Sequence, residues 1–445
     1  MILVHAAQKV VLEGCRFIDC TLVVVSGADV ELKDTDFTQG KTSTYGCSIV
    51  ASGGDTMISM HDGKITGGTI GVTVYGGATA SLTEVAVEQI TVSGVEARDA
   101  GTRGKLTSCS LQNFKSSSLE CTHAVHAHKG SSMHLDTMHI QGADDMDYGV
   151  LVHTNASVCM RECTVNETKV CGTKITDGST GDLTECQFDR NELGIHVTGH
   201  GSCCDAQGCF FRSSKTGAYA SRMGKVFLQQ CHATEAECGY RATSGAAMRN
   251  TKCTSKGGQM GWCIDMPETL WIAQDCVGTD VQGSHEVVVA GGATADLFSC
   301  TFTGSSSGVV QIQGEKTFAS LAGCTVSKGK DHSMIVERGA QACLKRCTLS
   351  DSTCGLSSFH SGTRVDVIDC VSKHNTADGF SCFSGSKCVV SESRSAGNGG
   401  FGYVVECGGR MTVTDCCSEK DKQGGTRTHG DGSTINQQRL RVYRV

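Results

Sequence analysis

The chain has 445 residues and a formal net charge of −7, with 56 glycines and a single proline, Pro267. The negative charge disfavours non-specific nucleic-acid binding, which depends on a cationic surface. No run of about 18 apolar residues is present, so we expect no membrane span. Many glycines with almost no proline are typical of a backbone that turns often and keeps its N–H groups in hydrogen-bonded ladders.

The 28 cysteines allow two interpretations. In a small secreted chain they would indicate a disulfide framework. The apolar start, residues 1–7, lacks the basic region and cleavage site of a secretory signal, and the cysteines recur at one position of a repeat. We therefore expect buried, reduced thiols that pack as small hydrophobic side chains, in a cytoplasmic protein.

A short pattern recurs along the chain: an apolar residue, two turn-forming residues, a small residue that is often cysteine, any residue, and a second apolar residue. It is first seen at 12–17. We place the small residue at 15, 35, 63, 85, 109, 138, 163, 186, 209, 231, 251, 276, 300, 324, 347, 370, 393 and 416, and cysteine fills 12 of these 18 positions. The mean spacing, about 23.6 residues, is typical of solenoid repeats.

A second pattern precedes the first: a glycine, an apolar residue, any residue and a second apolar residue. Gly149–Val152 and Gly194–Val197 are examples. Each coil then contains three short strands, and alternation places their apolar residues on one face. The residue before the small one is glycine, asparagine or aspartate in nine of the 18 coils, which indicates a left-handed corner. Strands this short bury a face only by stacking coil on coil, so the sequence predicts an all-β solenoid.

The repeated unit, for example Ala295, Leu297, Cys300 and Phe302, resembles the right-handed parallel β-helix superfamily with the pectin-lyase-like fold. The resemblance covers about 9–418. It implies a right-handed parallel β-helix solenoid with three short strands per coil and about 18 coils. We expect a single β-helix domain over 1–420 and a polar C-terminal tail or cap over 421–445. The superfamily contains polysaccharide lyases and hydrolases, bacterial surface proteins and non-enzymatic domains, so the fold leaves function open.

A histidine-rich stretch is the first candidate site. His126 and His128 are two residues apart, so on a strand they share a face. The same region contains His123, His134, His139, Asp144, Asp145 and Asp147, and the next coil can bring His153 close. Imidazoles with carboxylates suit a transition-metal site or an acid–base pair. The alternative is a solvated strand and loop without ligand geometry.

The second candidate is Gly199-His200-Gly201, which resembles a motif of polygalacturonase-like glycosidases. Those enzymes also have an Asp-Asp pair about one coil earlier. Here the pair Asp144 and Asp145 precedes Gly199 by 55 residues, and the other family motifs are missing. Because hydrolysis needs carboxylates that face each other across the sugar bond, the sequence favours an ordinary turn at His200.

The absence of a complete catalytic set favours a non-enzymatic scaffold or protein-interaction domain with a protein partner. Two alternatives stay open: a polysaccharide lyase or glycoside hydrolase that acts on carbohydrate, and an extracellular surface protein or adhesin. We assign no cofactor, no metal and no catalytic residue. If the chain is an enzyme, the candidate residues are His126, His128, Asp144, Asp145 and His200.

Overall fold

A computed structural model describes residues 1–5, 9–40, 46–115, 121–142 and 145–443. Across these residues the chain is all β, with no helix, and forms a parallel β-solenoid of about 19 turns. The predicted fold class is therefore confirmed. The chain divides into two compact units, Met1–Phe227 and Leu228–Val445. Among the described residues no helix is long and apolar enough to cross a membrane.

The strands of the first unit are short and follow one another in sets of two or three per turn. They are β1 (Ile2–His5), β2 (Lys9–Glu13), β3 (Arg16–Ile18), β4 (Leu22–Val25), β5 (Asp29–Thr38), β6 (Cys47–Ser52), β7 (Met57–Thr66), β8 (Ile70–Tyr75), β9 (Thr79–Glu88), β10 (Ser93–Arg98), β11 (Arg103–Thr107), β12 (Ser110–Gln112), β13 (His123–His128), β14 (Ser132–Asp136), β15 (His139–Gln141), β16 (Tyr148–His153), β17 (Ser157–Arg161), β18 (Thr164–Asn166), β19 (Cys171–Thr176), β20 (Thr180–Thr184), β21 (Gln187–Asp189), β22 (Leu193–Thr198), β23 (Cys203–Gln207), β24 (Phe210–Arg212), β25 (Thr216–Ser221) and β26 (Lys225–Gln229).

The second unit, which begins within β26, repeats the same arrangement. Its strands are β27 (His232–Thr234), β28 (Cys238–Thr243), β29 (Ala247–Thr251), β30 (Thr254–Lys256), β31 (Met260–Asp265), β32 (Leu270–Gln274), β33 (Val277–Thr279), β34 (Val287–Val289), β35 (Thr294–Phe298), β36 (Thr301–Ser305), β37 (Gly308–Gln313), β38 (Phe318–Ala322), β39 (Thr325–Gly329), β40 (His332–Glu337), β41 (Gln341–Lys345), β42 (Thr348–Ser350), β43 (Cys354–Ser358), β44 (Arg364–Ile368), β45 (Val371–Lys373), β46 (Phe380–Phe383), β47 (Lys387–Ser391), β48 (Arg394–Ala396), β49 (Phe401–Glu406), β50 (Arg410–Thr414), β51 (Cys417–Glu419), β52 (Gly424–His429), β53 (Thr434–Gln438) and β54 (Arg441–Tyr443).

The first strand of each turn pairs in parallel with the first strand of the next turn, and these strands form what we call the first sheet. In the first unit, for example, Val95 of β10 lies opposite Val72 of β8 and Val125 of β13. All three side chains are buried. The residues that alternate with them point outward. The first sheet therefore has an apolar inner face, whereas packing of the core does not restrict the residue types on its outer face.

A left-handed corner precedes the inward small residue in turn after turn. The backbone φ is 63° at Gly14 and 51° at Asp369, as the sequence predicts. The same conformation occurs at residues not predicted to adopt it, such as Glu185 at 54° and Arg346 at 53°. A non-glycine residue costs about 1–2 kcal/mol in this conformation. The register of the stack therefore enforces the corner even where local preference opposes it.

One predicted repeat position is wrong. The sequence places a small inward residue at Thr251, but the left-handed corner lies at Lys252, with φ of 54°, and the buried residue is Cys253. Thr251 is the last residue of β29. The correction adds one more cysteine to the inward series.

The inward cysteines form a ladder of thiols, with Cys253, Cys276, Cys300, Cys324, Cys347 and Cys370 at one position of successive turns in the second unit. Each has at most 1% of its surface exposed. The thiol of Cys276 donates to the backbone carbonyls of Asn250 and Gln274, at 3.6 and 3.4 Å. No disulfide joins any of the 28 cysteines. The predicted burial of the repeat cysteines is confirmed.

A carboxyl group lies inside the second unit, at a position that is glycine in several other turns. Glu286 is fully buried, and neither carboxyl oxygen has a hydrogen-bond partner among the described residues. Burial, with a smaller contribution from the charge of Asp280, raises the pKa of Glu286 to about 9. Glycine at 261 and at 278 leaves room for it, because a Cβ atom at either position would overlap the carboxyl group.

In the C-terminal stretch, residues 421–443, the strands continue the parallel pairing of the preceding turns. β52, β53 and β54 pair in parallel with β49, β50 and β51, and Thr426 lies opposite Tyr403. A left-handed corner recurs at Arg439. The division between a 1–420 domain and a 421–445 tail or cap stays a prediction.

Candidate functional site

Four histidines meet on the outer face of the first sheet in the first unit, and we call them the histidine cluster: His123, His126, His128 and His153. The first three belong to β13, and His153 is the last residue of β16. Strand alternation places His126 and His128 on the same face, with the buried Ala127 between them. The parallel register then sets His128 directly opposite His153.

Three of these side chains converge at close range. The Nε2 atoms of His126 and His153 are 2.8 Å apart. The rings of His126 and His128 stack with centroids 4.4 Å apart and an interplanar angle of 8°, and His128 and His153 have centroids 5.2 Å apart. One ring nitrogen from each of His126, His128 and His153 lies within 4.8 Å of the other two. These three residues can therefore hold a metal ion.

A carboxylate on the preceding turn orients His128. Its Nε2–H donates to Oε1 of Glu96 at 2.9 Å, and the other oxygen of Glu96 accepts a hydrogen bond from Thr73 Oγ1 at 3.5 Å. Burial alone would raise the pKa of Glu96, but the hydrogen bond and charge of His128 outweigh it and lower the pKa. With Nε2 engaged, Nδ1 is the atom of His128 that can coordinate. A carboxylate–histidine pair of this kind commonly supports a metal ligand.

The other two histidines have distinct surroundings. Nδ1 of His153 lies 2.7 Å from the hydroxyl of Thr154, which leaves Nε2 for the cluster. His123 has its ring centroid 4.7 Å from that of His126 and 5.8 Å from that of Tyr148, so it forms one wall of the site. Its buried Nδ1 has no partner among the described residues.

Desolvation keeps His123 and His126 uncharged at neutral pH. Burial, with the charges of the neighbouring histidines, lowers the pKa of His126 to about 2. Burial lowers the pKa of His123 to about 4 and also lowers that of His153. Neutral imidazoles have the free lone pairs that metal ions require, so binding would release few protons.

The remaining predicted residues lie elsewhere. Asp145 is exposed in the turn before β16, and Asp144 lies outside the described residues. His200 is exposed in a tight turn after β22, between Gly199 and Gly201 with φ of 91° and 80°. That turn is two coils beyond the one that follows His153. The structure thus joins His126 and His128 to His153, and it does not bring Asp145 or His200 into the cluster.

Glu96 is the residue that sequence reasoning missed. It lies directly opposite His126 in the ladder. The alignment of Gly94-Val95-Glu96 with Ala124-Val125-His126 is the signal that could have found it.

Comparison with known proteins agrees with this architecture. A family model described as right handed beta helix region matches residues 48–211 and 285–439. No curated protein matches the sequence.

Among solved structures, the chain is similar to a mannuronic acid specific polysaccharide family 6 lyase from human gut microbiota, at 6% identity over 76% of this chain and 82% of that one, with a TM-score of 0.41. It is also similar to a double mutant of the periplasmic alginate epimerase AlgG, at 8% identity over 82% and 78%, with a TM-score of 0.34. A third is the Streptococcus pneumoniae surface protein and adhesin PfbA, at 9% identity over 98% and 91%, with a TM-score of 0.30. These similarities concern the fold alone. Since the family model covers well over half of the sequence, the chain belongs to the right-handed β-helix family.

Proposed function

We propose that this chain is a non-enzymatic β-helix that binds a divalent transition-metal ion through His126, His128 and His153. The ion that we expect is Zn²⁺. The observation that carries the proposal is the convergence of three imidazole nitrogens within 4.8 Å of one another. Imidazole is a preferred ligand of Zn²⁺, and a site with three protein ligands keeps one position open.

The distance between the ligand atoms of His126 and His153 fits such an ion after a small adjustment. Two nitrogens bound at the usual 2.0–2.1 Å in tetrahedral geometry lie about 3.3–3.4 Å apart. The Nε2 atoms of His126 and His153 are 2.8 Å apart, so they must separate by roughly half an ångström. Both side chains are only half-buried, which leaves room for that movement.

The carboxylates near the cluster support binding rather than hydrolysis. Glu96 is held by His128 and Thr73, which suits an orienting role better than proton transfer to a substrate. The glycosidase candidates Asp145 and His200 are exposed in other turns. We therefore propose a scaffold role, and the polysaccharide lyase or glycosidase alternative is tested by assaying acidic polysaccharides with and without calcium. Turnover that is lost on His200→Ala would overturn the scaffold role.

The test of metal binding is a competition titration of Zn²⁺ against a chromophoric chelator. Exposed thiols such as Cys121 and Cys407 are alkylated first under native conditions so that they do not bind the ion. We expect one tight Zn²⁺ per chain and a loss of affinity of about 100-fold or more in His153→Ala.

The matched control is His200→Ala, which removes an exposed histidine outside the cluster. It should bind Zn²⁺ as the wild type does, and thermal unfolding of all three proteins shows whether the fold is kept. Equal affinity in His153→Ala and His200→Ala would refute the proposal. A Co²⁺-loaded sample whose spectrum contains thiolate charge-transfer bands would refute it as well.

We also propose that the protein works in a reducing compartment, such as the cytoplasm. The support is the buried thiol ladder, in which burial raises the pKa of side chains such as Cys109 and keeps them protonated. A thiol count on the denatured native protein should approach 28. A count below about half of that number would favour the extracellular alternative.

A further inference from the structure

Two buried thiols in the second unit lie on either side of one corner of the solenoid. Cys382 points inward from β46, which belongs to the first sheet, and Cys388 points inward from β47 in the same turn. Their exposed fractions are 0% and 2%. The short corner that joins the two strands contains the exposed Ser384, so the pair lies directly beneath the surface.

Two serine hydroxyls connect these thiols. The Sγ atom of Cys382 lies 3.2 Å from Oγ of Ser386, and the Sγ atom of Cys388 lies 3.1 Å from Oγ of Ser358. The two hydroxyl oxygens are themselves 2.9 Å apart. The interaction between the thiols lowers the pKa of Cys382 and raises that of Cys388, and burial raises the latter further. The four side chains therefore form one buried polar group.

The same corner in another turn shows that side chains from the two strands meet there. Ile175 and Gly181 occupy the two inward positions in the first unit, and a Cβ atom at Gly181 would lie 2.4 Å from Cδ1 of Ile175. The ladder cysteines are arranged differently. Cys347 and Cys370 occupy one position of successive turns, so their Cβ atoms point the same way, which is a poor geometry for a disulfide.

We propose that Cys382 and Cys388 are a redox pair that hydrogen peroxide oxidises to a disulfide. The thiolate of Cys382 attacks one peroxide oxygen, an S–O bond forms, the O–O bond breaks, and the departing hydroxide takes up a proton to become water. The sulfur of Cys388 then displaces the sulfenic hydroxyl group, which leaves with the Cys388 proton as a second water. The two thiols lose two electrons, and one peroxide molecule gains them.

The roles of the two cysteines follow from their surroundings. Cys382 is the attacking group, because the lower thiol pKa provides more thiolate. Peroxide is the oxidant that suits the pair, since it is little larger than water and the thiols are covered in the folded protein. We expect a slow reaction that is limited by local opening of the corner, residues 383–387.

The experiment uses the intact chain under native conditions. Exposed thiols such as Cys121 and Cys407 are alkylated first. Peroxide is then added and removed, and the denatured protein is digested with trypsin without reduction. Because trypsin cuts after Lys387, the disulfide joins peptide 374–387 to peptide 388–394, and mass spectrometry identifies the linked pair.

We expect this linked pair to be the main disulfide of the wild type and of Cys324→Ser. That variant is the matched control, because it removes a buried thiol of the ladder. Cys388→Ser should give no linked pair and should leave a sulfenic acid on Cys382 that dimedone traps. Thermal unfolding shows whether each variant keeps the fold, and the wild-type peptide map decides the question if a variant does not.

Oxidation of Met223, which is 52% exposed, shows that enough peroxide was present. If Met223 is fully oxidised and the wild type contains no linked pair, the inference is wrong. A disulfide between Cys347 and Cys370 at equal or higher yield would also overturn it. The outcome does not depend on the proposed metal site, because no step involves a metal ion.

Discussion

The outer face of the first sheet differs between the two units, while the inner face is built alike. In the first unit Glu96 lies opposite His126, and each is flanked by buried apolar residues. In the second unit the corresponding outward positions, which pair with one another along the ladder, include Val288, Gln311 and Ile335. The inward residues are buried in both units and mostly apolar, and those of the second unit include the aromatic side chains of Trp262, Phe380 and Tyr403. The comparison teaches that stacking fixes one face of each strand and leaves the other free for chemistry.

The largest expected effect comes from the interior of the second unit. Phe302 is fully buried and meets Trp262 edge-on, with ring centroids 5.3 Å apart. Phe302→Ala should lower the free energy of unfolding by about 3–5 kcal/mol in urea denaturation. Zn²⁺ affinity should not change, because the histidine cluster belongs to the first unit.

The control is Phe298→Ala, whose ring is 43% exposed. It should cost about 1 kcal/mol or less. Similar losses for Phe298→Ala and Phe302→Ala would break the distinction between inner and outer faces.

A second effect comes from Glu286. Its folded-state pKa of about 9 lies above the value of 4.5 expected when unfolded, so between these values the folded state holds a proton that the unfolded state has lost. Stability is then greatest below pH 4.5 and falls as pH rises, by up to about 1.4 kcal/mol per pH unit.

Glu286→Gln does not titrate, so its stability relative to the wild type should rise by about 2–4 kcal/mol between about pH 5 and pH 8. Urea denaturation at both pH values measures the difference. A constant difference would mean that the carboxyl group is ionised or solvated in the folded protein.

A third effect concerns Zn²⁺ affinity at the outer face of the first sheet, where Glu96 orients His128. Glu96→Gln keeps a hydrogen-bond acceptor beside His128 but removes the charge, and it should weaken Zn²⁺ binding about 10- to 100-fold. Glu88→Gln, on β9 and paired with Lys64 at 2.8 Å, is the control. Thermal unfolding should shift little in either variant. A shift in stability without a change in affinity would assign Glu96 a structural role alone.

The smallest effect tests the left-handed corner. Lys252 has a φ of 54°, which β-branched side chains strongly disfavour. Lys252→Val should cost about 1–2 kcal/mol. Lys252→Gly should stay within about 0.5 kcal/mol of the wild type, because relief of strain is offset by the larger freedom of glycine when unfolded. A Lys252→Val variant as stable as the wild type would contradict the corner assignment.

The fold was predictable because inward residues such as Cys300 repeat at nearly constant spacing. The left-handed corner was predictable only where glycine, asparagine or aspartate occupies it. Residues such as Glu185 adopt a φ of 54° because the stacked turns impose it, and not by local preference. The misplaced position at Thr251 has the same origin, because nothing in the local pattern marks Lys252 as a corner.

The site was predictable in part. Alternation paired His126 with His128, and the coil spacing suggested His153. Glu96 escaped because it precedes His126 by 30 residues, well above the mean repeat of about 23.6. Because the connection between the two strands is longer than the usual repeat, the sequence spacing did not indicate that the two residues lie opposite each other. The tautomer and desolvation of the cluster depend on neighbours from three turns, which no local motif encodes.

The buried carboxyl of Glu286 has a consequence for how this sequence can change over time. Because a methyl group at 261 or at 278 would overlap that carboxyl, neither glycine can become alanine while Glu286 is present. Replacing Glu286 by a smaller residue first would open position 278, whereas at 261 the backbone carbonyl oxygen of residue 286 would still lie 3.0 Å from the added Cβ atom. The order of substitutions therefore matters here, and homologues should contain either the acid with glycine at both positions or a smaller residue at 286 with freedom at 278.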